Sequence, residues 1–120
     1  DIAKRAFDLI WDKQFGGRII PTNVTDDWLN IDQIPNPPRG RIDDGAFQCR
    51  ALDLLTNPSR NSAVPTSISR MTYSYLNFLF ECGNFATHIR DYSYPINDEF
   101  AYTVCLTAVE MCEQLTKDLA

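Results

Sequence analysis

The strongest constraint on this chain is the spacing of apolar residues near its C-terminus. Ala101, Val104, Cys105, Ala108, Met111, Cys112, Leu115 and Leu119 recur at intervals of three and four. Positions so spaced share one face of an α-helix, whereas a half-buried strand alternates every second residue. The whole set is therefore expected to form one buried stripe. Asn97 or Asp98 is placed to cap this helix, and Asp98 and Glu99 fall in its first turn, where negative charge suits the positive end of the helix dipole. Ala101, Cys105 and Ala108 are small enough for a neighbouring helix to approach closely.

The same period occurs three more times. Ala3, Ala6, Phe7, Ile10 and Trp11 mark a helix from Ile2 to Phe15, and Gly16-Gly17 ends it because glycine accepts the left-handed conformation at a helix C-terminus. Phe47, Ala51, Leu54 and Leu55 mark a helix from Gly45 to about Thr56, with Asp44 as its cap, Gln48, Arg50 and Asp53 facing outward or sideways, and Asn57-Pro58 as its stop. Ile68, Met71, Tyr75, Leu79 and Cys82 form a stripe that Leu76, Phe80, Tyr73 and Phe78 widen. Thr66 or Ser67 is expected to cap that helix, and Gly83-Asn84 to stop or break it. A helix apolar around so much of its girth belongs at the centre of a bundle. No strand-like alternation of comparable length occurs. The fold class predicted is all-α, a bundle of four to five helices.

Residues 18–43 differ in character. Pro21, Pro35, Pro37 and Pro38 remove backbone donors and fix φ, which predicts a long irregular connection. Thr25 can cap one short turn within it. Ile19, Ile20, Trp28, Leu29, Ile31 and Ile34 make the segment too apolar for a free linker, so it is expected to pack on something as an ordered arm. With 120 residues, 44% of them apolar, the chain has the size of a single domain, 1–120. Its start at Asp1-Ile2-Ala3-Lys4-Arg5 reads as a fragment or processed part of a longer chain. No apolar run is long enough to span a membrane.

Charge limits the partners. The net charge is −5, and 98–120 holds five acids against Lys117 alone. Residues 18–70 balance six arginines against six aspartates, with no lysine between Lys13 and Lys117. A bulk grip on nucleic acid needs a basic excess that is missing here. The arginines are read first as partners of carboxylates within or between subunits and second as phosphate contacts.

Cys49, Cys82, Cys105 and Cys112 are separated by 33, 23 and 7 residues, without a C-x2–4-C pair. Each lies in an apolar helical pattern, so free buried thiols are favoured over two disulfides, which would have three possible pairings. This favours a reducing intracellular compartment over secretion, where the Asn23-Val24-Thr25 sequon would matter. Cys105 and Cys112, about 10 Å apart along a helix, cannot bond to each other. His88 lies beside Phe85 and Ile89 and is read as a structural residue. The pairs Asp26-Asp27, Asp43-Asp44 and Asp98-Glu99 sit where helices begin and are read as capping charges. No phosphate-binding, dinucleotide-binding, nucleophile-elbow or zincin motif occurs. No catalytic, cofactor-binding or metal residue is expected.

The function expected is therefore non-enzymatic: a structural domain for protein–protein interaction or self-assembly. Its expected contacts are Trp28, Ile31, Ile34, Arg39 and Arg41 of the arm, with Arg90, Tyr92 and Tyr94 at the break before Pro95. Aromatic and arginine residues of this kind are favoured at interfaces. Two alternatives remain: a coat or nucleocapsid-type helical subunit that packages nucleic acid through its arginines, and a small secreted helical binder with two disulfides.

Overall fold

The structure, a computed structural model, describes residues 2–17, 45–59, 64–87 and 97–120. The arm at 18–43, the proposed cap Asp44, His88 and the break at 92–95 lie outside them, and so does every one of the expected contact residues Trp28, Ile31, Ile34, Arg39, Arg41, Arg90, Tyr92 and Tyr94. The described residues form four helices and no strand: α1 (Ile2–Phe15), α2 (Gly45–Thr56), α3 (Arg70–Thr87) and α4 (Asp98–Leu119). The all-α class is as the spacing predicts.

The ends of the helices follow local chemistry. Gly16 has φ 68°, and its N–H donates to the Asp12 carbonyl at 2.9 Å, closing the last turn of α1. After α2, the Asn57 side chain accepts from the Ser59 N–H at 3.2 Å and from its hydroxyl at 2.7 Å, a turn in which Pro58 cannot continue the helix. Asn97 caps α4, its side-chain oxygen accepting from the Phe100 N–H at 2.9 Å. The cap of α3 is Ser69, not Thr66 or Ser67. Its hydroxyl accepts from the Thr72 N–H at 3.2 Å, while Thr66 spends its own oxygen on the Ile68 N–H at 3.0 Å, a local turn that precedes the helix. Gly83-Asn84 neither stops nor breaks α3, which continues to Thr87.

Among the described residues α3 touches each of the other helices, the central position its apolar girth predicts. It runs antiparallel to both α2 and α4, because Arg70 meets Asp53 near the end of α2 and Ser69 meets Asp118 near the end of α4. Gly45 allows the start of α2 to approach the ring of Phe80; a Cβ there would lie 2.5 Å from it. The core joins all four helices: Phe7, Ile10 and Trp11 of α1, Leu52, Leu54 and Leu55 of α2, Leu76 and Leu79 of α3, and Met111 and Leu115 of α4 are buried together. Burial of side chains of this size stabilises by roughly 1.5–3 kcal/mol each.

Three expected faces need correction. Gln48 is 1% exposed rather than outward-facing, because it shares a helical face with Leu52 and Leu55. Met71 is 51% exposed, and Thr72, drawn inward by Asp118, takes the buried place in that turn. The apolar set of α4 does not form one buried stripe: Met111 and Leu115 are buried, Val104, Ala108 and Leu119 are half-buried, and Ala101, Cys105 and Cys112 are exposed.

Candidate interaction surface

Two surfaces of the α3–α4 pair stand out, one closed and one open. The closed one surrounds Asp118. Its Oδ2 accepts from the Ser69 N–H at 2.9 Å, the Ser69 hydroxyl at 3.0 Å and the Thr72 hydroxyl, and its Oδ1 accepts from Gln114 at 3.0 Å. Burial raises the carboxyl pKa, but these hydrogen bonds outweigh it, and Asp118 stays ionised below the ordinary carboxylate range. A carboxylate here also faces the positive end of the α3 dipole. Beside it, Arg70 donates to the Asp53 carboxylate and to the Asp53 carbonyl at 3.1 Å, and its guanidinium lies 4.2 Å from the Tyr73 ring centre. A cation at the C-terminal end of α2 suits that helix's dipole. This network fastens three helix ends together. A shallow groove of about 340 Å³ nearby, lined by Lys13, Gln14, Pro65, Thr66 and Ser67, is partly closed by a hydrogen bond of 2.8 Å from Gln14 to the Pro65 carbonyl.

The open surface is the outer side of α4. Tyr102, Cys105, Val109, Cys112 and Thr116 follow a 3-4-3-4 spacing, the seam of a heptad repeat, and all five are exposed. Leu106 widens the seam. Tyr102, Leu106 and Val109 are 70%, 65% and 54% exposed, well above what a core position would show. The Thr116 hydroxyl donates to the Cys112 carbonyl at 2.8 Å, so its polar group is engaged within the helix. Along one edge of the seam lie Glu99, Glu110 and Glu113, all exposed, with Lys117 one turn beyond Glu113. A neighbouring stripe, about a third of a turn round α4, carries a second seam, Val104, Ala108, Met111, Leu115 and Asp118, which packs into the bundle.

α4 has 22 residues and spans about 33 Å, whereas α1 and α2, with 14 and 12, span about 21 and 18 Å. The Asp118 and Arg70 contacts place the buried cluster against the C-terminal half of α4. Comparison with protein-family models, curated proteins and solved structures returns no match. Function must therefore be argued from the surface itself.

The cysteines divide along the same line. All four are free thiols. Cys49 and Cys82 are buried; burial, with the negative charge of Glu81, pushes the Cys49 thiol up to about 12 and raises that of Cys82. Such thiols stay protonated and are poor nucleophiles. Cys105 and Cys112 are exposed on the outer seam, contrary to the expectation that all four would be buried. Among the described residues no three acids, cysteines or histidines are grouped to hold a metal ion, and no helix is long and apolar enough to cross a membrane.

Proposed function

We propose that this chain is a non-enzymatic protein–protein interaction domain and that the outer seam of α4 is a contact surface. The observation that carries this reading is the heptad spacing of the exposed Tyr102, Cys105, Val109 and Cys112, with Leu106 beside them, which no other described helix covers. Scattered exposed apolar residues are ordinary, but a contiguous stripe at helix-pairing spacing is a docking signature. The acidic edge of α4 favours a protein over a nucleic acid as partner, because phosphate would be repelled there.

The test is direct association. The chain is examined by light scattering at rising concentration, and titrated with a helical probe peptide that carries a leucine heptad seam with uncharged edges. Association by either route, abolished by Leu106→Glu with Val109→Glu while the unfolding midpoint is retained, supports the reading. A chain that remains monomeric to about 1 mM and binds no probe contradicts it.

A further inference from the structure

The charge along the seam points to the kind of partner. We propose that the outer face of α4 receives an α-helix whose apolar stripe is edged by lysine or arginine, and not a second copy of this chain. The proposal rests on the interaction reading above and adds the partner's chemistry to it.

The acids of this helix are placed on the rim of the contact. Glu99, Glu110 and Glu113 are exposed along one edge of the Tyr102–Cys112 stripe; Glu99 and Glu113 hold the edge position that flanks an incoming helix, and Glu110 lies just outside it on the same side. Lys117, one turn after Glu113, is the single cation between Asp98 and Ala120. In an antiparallel two-fold pair of identical chains the same edge of each copy meets, so the three glutamates of one copy share the interface rim with the three of the other. Like charges at that rim oppose pairing and slow encounter. A helix with basic edges faces the opposite field: its cations pair with Glu99, Glu110 and Glu113, while its apolar stripe covers Tyr102, Leu106 and Val109. Exposed ion pairs add little singly, but three along one edge discriminate between partners. The two exposed thiols, Cys105 and Cys112, lie within the stripe and act as small apolar positions over which a partner side chain can settle.

Three helical peptides with one leucine seam and edges of lysine, glutamine or glutamate test this by fluorescence anisotropy against the whole chain. The lysine-edged peptide is expected to bind about tenfold more tightly than the glutamate-edged one at low salt, with glutamine between them, and the spread is expected to collapse at about 1 M salt. Combining Glu99→Lys, Glu110→Lys and Glu113→Lys is expected to reverse the order. Equal binding of all three peptides overturns the basic-edge inference and leaves the docking surface standing. Self-association at micromolar concentration with no peptide binding overturns it in favour of a second copy. No binding of any peptide by a monomeric chain removes both the inference and the reading on which it rests.

Discussion

In the C-terminal half of α4, Met111 is fully buried, and Leu115 and Asp118 are nearly so, against α3 and the core. In the N-terminal half of the same helix, Tyr102, Leu106 and Val109 leave more than half of their surface to solvent. Both halves are apolar and both follow the 3-4 spacing. Periodicity decides that the segment is a helix; which stripe is covered depends on the side from which the other helices pack. α4 is apolar around most of its circumference from Phe100 to Cys112, so the sequence offers two seams, and the bundle takes one of them.

The largest expected effect belongs to the buried end. Leu115→Ala or Met111→Ala should cost about 2–4 kcal/mol in denaturant unfolding, because each leaves a cavity among close-packed neighbours. Leu106→Ala and Val109→Ala should each stay within about 0.5 kcal/mol of the parent chain. Similar losses at both ends would show that the outer seam is covered as well, and the contrast would disappear.

Next comes the Asp118 network. Asp118→Ala should cost about 2 kcal/mol, because Ser69, Thr72 and Gln114 lose their shared acceptor. The folded-state pKa of Asp118 lies below its unfolded value, so its contribution is fully present above the ordinary carboxylate pKa near 4 and is lost as pH falls through the folded value. Asp118→Asn should therefore lower stability at neutral pH and flatten the part of the acid-side decline due to this group. An unchanged stability–pH curve in Asp118→Asn would remove the carboxylate from the account.

A smaller effect is expected at Arg70. Its side chain is 46% exposed, so Arg70→Lys should cost no more than about 1 kcal/mol, losing planar contacts to Asp53 and Tyr73 while keeping the charge. The smallest is at the outer seam, where Leu106→Glu should leave the thermal midpoint within a few degrees of the parent and abolish binding of a helical probe. A large fall in midpoint would mean that the chain itself covers this face.

Much of the fold was legible. The buried residues of α1 are the five that its spacing marks, the turns at Gly16 and Asn57 follow from residue chemistry, and of the two cap residues the sequence offers α4, Asn97 and Asp98, the cap is Asn97. The cap of α3 was not legible in the same way. Thr66, Ser67 and Ser69 are all good cap residues, and what favours Ser69 is Asp118, 49 positions away. Gln48 and Met71 were misjudged for a related reason, since local polarity does not reveal which face a neighbouring helix covers. The contact residues expected from the sequence, Trp28, Ile31, Ile34, Arg39, Arg41, Arg90, Tyr92 and Tyr94, lie outside the described residues. The outer seam of α4 was present in the sequence as Tyr102, Cys105, Val109 and Cys112, but its neighbour stripe absorbed two of these residues and concealed it.

The central claim is that one side of α4 is packed while another is open, and the four cysteines of the chain allow a direct measurement. In the native chain at pH 8 a thiol reagent should modify Cys105 and Cys112 rapidly, whereas Cys49 and Cys82 should react only as the chain unfolds. Two fast thiols and two protected ones, assigned by peptide mapping to those positions, is the predicted result. Protection of Cys105 and Cys112 alongside the buried pair would contradict an open outer face.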